Sequence, residues 1–146
     1  MRRYFDTAYL AKYYLHEPES TAVEELVLQS GQRGISILGR AEFACILHRH
    51  VRENRLSLSE AEERQEMFQL HVARGAWQVH DITASLMARV EARLMGMPAD
   101  LFLRSGDAIH LATAELHGYR EIWSNDRHLL AAAPLFGLTP RSLKHP

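Results

Sequence analysis

Residues 103–129, LRSGDAIHLATAELHGYREIWSNDRHL, decide the fold. They read as a helix, a tight turn, a short strand and the start of a second helix. Ser105 is placed to cap the first helix and Asp107 falls in its first turn, while Ala108, Ile109, Leu111, Ala112 and Leu116 recur at helical spacing as an apolar stripe. Gly118 suits the left-handed position that ends a helix. Residues 120–123 are short enough for a buried strand, and Ser124-Asn125-Asp126 leads out of it into the next helix. Two carboxylates, Asp107 and Asp126, thus stand beside helix N-termini, the second at a strand exit as well. In an open parallel sheet, ligands sit outside the carboxyl ends of the strands, so the question for the rest of the chain is whether other acids arrive there.

Outward from this stretch, strands and helices alternate. Residues 3–5 are a very short strand ended by Asp6-Thr7, and residues 8–15 are helical, with Pro18 as the limit. A second helix follows from Pro18 or Glu19 to about Gln29, Pro18 suiting its first turn. Gly31 and Gly34 bracket a loop, and residues 35–38 read as a buried strand. A helix over residues 40–53 carries Ala41, Ala44, Cys45, Ile46 and Leu47 on its apolar side. Ser57 or Ser59 opens the next helix, with Ser59 and Glu62 spaced as a capping box, and that helix runs to about Ala73. Residues 77–79 are a third strand, residues 82–95 a helix ended by Gly96, and residues 97–104 a loop. Residues 136–138 are expected as a last edge strand and residues 139–146 as a frayed tail. Strands alternating with helical patterns indicate a parallel sheet covered on both faces, an α/β domain spanning residues 1–146.

Composition agrees with a globular domain of this kind. The chain has 146 residues, 47% hydrophobic and 24% charged, with a formal net charge of −1. The near-neutral charge does not announce a nucleic-acid binder, although a basic rim around an acidic site would cancel in the sum. Cys45 is the only cysteine, which excludes an internal disulfide and a cysteine-based zinc cluster. No apolar run approaches the about 20 residues of a membrane span. Asp6 and Lys12 interrupt any signal-peptide core in the opening MRRYFDTAYL, so the expected location is the cytoplasm.

Two further acids take the same kind of position. Asp6 directly follows the first strand, and Glu42 falls in the first turn of the helix after the strand at residues 35–38. A single acid in a first turn is ordinarily a cap or a partner of the macrodipole, worth about 0.3–1 kcal/mol. Capping, however, does not require four acids on one rim. Convergent carboxylates repel and raise one another's pKa values unless a cation joins them. Mg²⁺ or Mn²⁺ resolves that conflict, because each prefers oxygen ligands and is typically held by a few carboxylates plus a phosphate. Such a site can activate water for phosphodiester cleavage.

Four segments carry these acids, and each resembles a motif of the PIN-domain nucleases. They are YFDTAYLAKYY with Asp6, GRAEFACILHR with Glu42, LRSGDAIHLATA with Asp107, and WSNDRHLLAAA with Asp126. Order and spacing fit from Tyr4 to about Pro140, and length and motif wording most resemble the VapC-type ribonuclease toxins of bacterial toxin–antitoxin pairs. The resemblance implies a three-layer α/β/α fold with a central parallel sheet of four to five short strands. It implies endonucleolytic cleavage of RNA, a Mg²⁺ or Mn²⁺ cofactor, a cognate antitoxin and a homodimer. Carried over residue by residue, Asp6, Glu42, Asp107 and Asp126 are the catalytic acids, with Asp6 and Asp107 holding the metal. Thr7 and Ser124 match small hydroxyl positions that support a carboxylate or a bound water. Asn125 departs from the aromatic or apolar residue of many relatives.

Other residues carry weaker signals. Nine histidines suggest metal or acid–base chemistry, but His48 and His50 point to different helix faces, and His16, His117, His128 and His145 form no zinc pattern. His110 lies one turn after Asp107 and is read chiefly as a hydrogen-bonded core imidazole able to approach the site. Among Arg40, Arg104 and Arg127, Arg104 is the candidate phosphate clamp and the other two are read as ion-pairing residues. Tyr9, Tyr13 and Tyr14 are core residues before they are base-stacking platforms. Met67, Phe68, Leu70 and Val72 share a helical segment and suit core packing, an antitoxin groove or a dimer seam. There is no G-x-S-x-G elbow and no phosphate-cradling glycine loop. An aspartyl phosphatase would need a second aspartate where Ala8 stands. The alternatives to a ribonuclease are a catalytically inactive binding module on the same fold and a phosphodiesterase acting on DNA.

Overall fold

A computed structural model describes residues 1–144. The elements in chain order are β1 (Arg2–Phe5), α1 (Thr7–Tyr14), α2 (Ser20–Gln29), β2 (Gln32–Ser36), α3 (Leu38–Arg52), α4 (Leu58–Ala73) and β3 (Gln78–His80), followed by α5 (Ala84–Met95), α6 (Ser105–Leu116), β4 (Glu121–Trp123), α7 (Arg127–Ala132), a 3₁₀ turn (Ala133–Phe136) and β5 (Thr139–Arg141). The strands form one sheet in the order β3-β2-β1-β4-β5, and every pairing is parallel.

The two-residue period of a strand explains the layers. Tyr4 and Phe5 are both fully buried yet belong to different apolar clusters on opposite faces of β1. Tyr4 packs with Ile122 and with residues of α5, α6 and α7. Phe5 packs with Ile35 and with residues of α1 to α4. The result is helix, sheet, helix in three layers. The chain leaves β1 toward β2 and later returns to place β4 on its other side, so a topological switch point lies between β1 and β4. Their carboxyl ends, at Phe5 and Trp123, are paired in register.

Several expected boundaries move. The strand read at residues 35–38 occupies Gln32–Ser36, and Leu38 already opens α3. Ser36 turns the chain, its hydroxyl accepting from the Leu38 amide at 3.1 Å, while the polar Gln32 and Arg33 pair with β1 at the half-exposed lower end of the sheet. The capping box is Ser57 with Glu60 rather than Ser59 with Glu62; both of its hydrogen bonds form. Ser105 is the first helical residue of α6, and Arg104, at the cap, contributes no side-chain hydrogen bond. The last strand is Thr139–Arg141 instead of residues 136–138, because Gly137 is left-handed at φ +71 and closes the 3₁₀ turn. Its exposed side chains and Pro140 hid it from the sequence, yet an edge strand needs only backbone pairing and tolerates proline. Residues 145–146 of the expected tail, His145 among them, lie outside the described residues.

Gly34 in β2 is required by a close approach. A Cβ there would fall 2.2 Å from the hydroxyl of Tyr119 and 2.8 Å from its Cε1. That ring cannot simply withdraw: its hydroxyl is 2.7 Å from His80 Nε2, and its edge packs against Tyr4 at 5.6 Å. Gly34→Ala is therefore expected to destabilise the fold by about 1–3 kcal/mol, the cost of overpacking. Chemical denaturation measures it, and an unchanged midpoint would show that the ring can move.

Candidate functional site

Asp6, the residue after β1, is the N-cap of α1. Its Oδ1 accepts from the Tyr9 amide at 3.0 Å, and its own amide donates to the Trp123 carbonyl at 3.1 Å, tying it to the end of β4. It is buried. Burial pushes its carboxyl above the usual range, opposed by hydrogen bonds from Ser124 and the Tyr9 amide, and the Asp107 charge raises it further. Ser124 thus serves Asp6 while its hydroxyl also accepts from the Asp126 amide at 3.0 Å.

Glu42 lies in the second turn of α3 rather than the first, because the helix begins earlier than its polar residues suggest. Thr7 donates to its Oε1 at 2.7 Å, and His110 Nε2 stands 2.7 Å from the same oxygen. Burial would raise its carboxyl, but the His110 hydrogen bond and charge and the Thr7 hydrogen bond outweigh it, so Glu42 lies below the usual range.

Asp107 is in the first turn of α6. Burial, then the charge of Asp126 and that of Glu42, push it up, while His110 and Arg104 pull it down. Asp126 is exposed and caps α7, its Oδ1 accepting from the amides of His128 at 2.8 Å and Leu129 at 3.0 Å.

One open cleft of about 560 Å³ at the switch point is lined by all four acids, together with Thr7, Arg49, Arg104 and His110. It is therefore the fold that brings Asp6, Glu42, Asp107 and Asp126 to a single rim. Arg104 reaches this cleft. Arg40 instead lines a separate hollow with Gln65 and Phe68, and Arg127 is exposed outside the cleft. One charged wall residue escaped the sequence reading. Arg49 follows Glu42 by two helical turns, with Cys45 and Ile46 between them on the same face. His110 is both things at once, a buried core imidazole and a partner of Glu42.

Other candidates take structural roles. Tyr9 and Tyr14 are buried, and the Tyr9 hydroxyl donates to Asn125 Oδ1 at 2.8 Å. Asn125 also accepts from Ser142 at 2.7 Å and donates to Glu19 at 2.8 Å, so this residue stitches the turn after β4 to its neighbours. His50 is buried against the Ile46 carbonyl at 2.9 Å. Met67 and Leu70 are exposed while Phe68 is buried, so that segment splits between core and surface.

The donor set suits a hard divalent cation: carboxylate oxygens, two of them raised by burial and mutual repulsion. Among the described residues no three acid, cysteine or histidine side chains are grouped closely enough to hold a metal ion between them.

Comparison with known proteins places these features in context. A family described as "PIN domain" matches residues 3–134. The VapC20 toxin of Mycobacterium tuberculosis, described as a sarcin-ricin loop cleaving toxin, superposes with a TM-score of 0.69 at 18% identity, over 89% of this chain and 94% of its own. A toxin–antitoxin complex from Klebsiella pneumoniae gives 0.64 at 19% identity, over 91% and 93%. FitAB bound to a DNA fragment gives 0.70 at 14% identity, over 99% and 96%. No curated protein matches the chain.

Proposed function

The chain belongs to the PIN domain family, and on that footing we propose that it is a divalent-metal-dependent endoribonuclease, the toxin of a toxin–antitoxin pair. The observation that carries this reading is the convergence of four carboxylates in one cleft at the switch point of a parallel sheet. Asp6 and Asp107 would hold Mg²⁺ or Mn²⁺, whose contribution when bound is to lower the pKa of a water and stabilise charge developing on the phosphate. Glu42 orients the attacking water, and Asp126 completes the acidic rim. Thr7 and Ser124 hold Glu42 and Asp6 in place through the hydrogen bonds described above. Arg104 and Arg49, which line the cleft, bind backbone phosphates of the substrate. The M. tuberculosis relative's action on the sarcin-ricin loop supports structured RNA as the substrate class. The Klebsiella pneumoniae toxin–antitoxin complex supports an antitoxin as partner. A cytoplasmic homodimer of one domain, residues 1–146, is part of the same reading; among the described residues no helix is long and apolar enough to cross a membrane.

The test is cleavage of total cellular RNA by purified, antitoxin-free protein with Mg²⁺, with Mn²⁺ and with EDTA, beside DNA of matching sequence. Discrete metal-dependent RNA fragments are expected, abolished by EDTA and absent with DNA. Cleavage of DNA alone, or none with either, would overturn the reading.

A second measurement needs no substrate. The carboxyls of Asp6 and Asp107 are raised on folding, so the folded state binds more protons than the unfolded chain between the two values. Their favourable contribution is full below the unfolded value, about pH 4, and is lost as pH rises through the folded values. A bound cation reverses that loss. Mg²⁺ is therefore expected to raise Tm at neutral pH and hardly at all near about pH 4, relative to monovalent salt of equal ionic strength. Asp6→Asn combined with Asp107→Asn should remove the gain.

A further inference from the structure

The hydrogen bonds to Glu42 are unequal on its two oxygens. Oε1 meets both Thr7 Oγ1 and His110 Nε2 at 2.7 Å, whereas Oε2 has no hydrogen-bond partner among the described residues. An ionised carboxylate only accepts, so His110 must carry its proton on Nε2. The other ring nitrogen, Nδ1, lies 2.9 Å from the Tyr4 hydroxyl, and both residues are buried. Tyr4 thus seats the ring from the side opposite Glu42. Beside the free oxygen stands Gly106, where a Cβ would sit 3.4 Å from Oε2. Alanine is the better helix former, yet a glycine occupies this place in the first turn of α6.

We propose that His110, seated by Tyr4, is a positioning residue that pins Oε1 of Glu42 so that Oε2 alone is offered to the cleft, and that Gly106 keeps this oxygen bare. The inference rests on the ribonuclease reading and deepens it. His110 joins the layer containing Tyr4 to the helix bearing Glu42, so the orientation of one acid is set from the core on the opposite face of the sheet. Glu42 then acts through a single oxygen, with Thr7 and His110 resisting its rotation.

The experiment compares His110→Leu, His110→Gln and Gly106→Ala with the parent, using kcat and KM on an RNA substrate and thermal melting for each. His110→Leu is expected to lower kcat by roughly 10²-fold, as misplacement of a reacting group does, with KM little changed. His110→Gln, whose amide nitrogen can occupy the place of Nε2, should recover most of that loss. Gly106→Ala should melt at the parent temperature or higher and still cleave about tenfold more slowly. Nitrogen-15 NMR of the metal-free parent should show Nε2 of His110 protonated. A Gly106→Ala protein as fast as the parent overturns the inference. So do equal losses in the Leu and Gln variants, or an Nδ1–H tautomer. If His110→Leu does not fold, Gly106→Ala and the tautomer decide. A parent that cleaves no RNA under any metal overturns the ribonuclease reading itself and the inference with it, whereas an active parent with an unaffected Gly106→Ala overturns only the inference.

Discussion

Asp107→Ala is expected to lose metal-dependent RNA cleavage by roughly 10²–10³-fold, the scale of removing one preorganised charge-stabilising group, while melting at the parent temperature or above it. Both halves follow from the same geometry. Asp107 faces the cleft from the first turn of α6, and burial with the neighbouring Asp126 and Glu42 pushes its carboxyl up. A carboxyl raised on folding costs stability wherever it is ionised, so its removal at neutral pH relieves repulsion and breaks no hydrogen bond among the described residues. A purely structural acid would behave in the opposite way, losing stability first and activity only as a consequence. Measuring cleavage and thermal melting on one preparation separates the two. An Asp107→Ala protein that cleaves as fast as the parent would remove Asp107 from the site. A sharp fall in Tm would make it a structural residue.

Glu121→Ala is the mirror case. Glu121 opens β4 and is buried. Its Oε1 accepts from Arg3 at 3.2 Å and from the Trp123 indole at 3.1 Å, and its Oε2 accepts from Arg141 at 3.2 Å. One carboxylate thus links β1, β4 and β5 at the end of the sheet remote from the acidic cleft. Removing it leaves Arg3, a largely buried guanidinium, without its counter-charge. The expected loss is about 3–5 kcal/mol, the cost of breaking a buried pair from one side. Chemical denaturation gives that value, and at low temperature cleavage per folded molecule should equal the parent's. A loss under about 0.5 kcal/mol would show that water replaces the carboxylate at no cost. A fall in kcat of the folded protein would show that the two ends of the sheet communicate.

Much of the fold was legible because its signals are local. The apolar stripe of α6, Gly118 ending it at φ +73 and the short strand into Ser124-Asn125-Asp126 depend on residues a few positions apart. Where local signals were ambiguous, boundaries slipped. Residues 35–38 are apolar enough for a strand, but Ser36 turns the chain and Leu38 packs at the top of the sheet as helix. Thr139–Arg141 has no apolar side to declare it, yet its backbone completes the edge.

The candidate site divides along the same line. Asp6, Asp107 and Asp126 could be placed at strand exits or helix starts from the sequence, since capping and the strand-to-helix turn are written within a few residues. That they and Glu42 meet in one cleft depends on the strand order, which sets β4 beside β1. The pairing of His110 with Glu42 spans 68 positions, and the contact of His110 with Tyr4 spans 106. No periodicity or motif records such distances. Sequence alone determined which residues could carry charge at the ends of strands, because backbone geometry and capping are short-range. Only the tertiary structure decided which oxygen of Glu42 is held and which is free, because hydrogen-bond direction is set by side chains that packing brings together from opposite faces of the sheet.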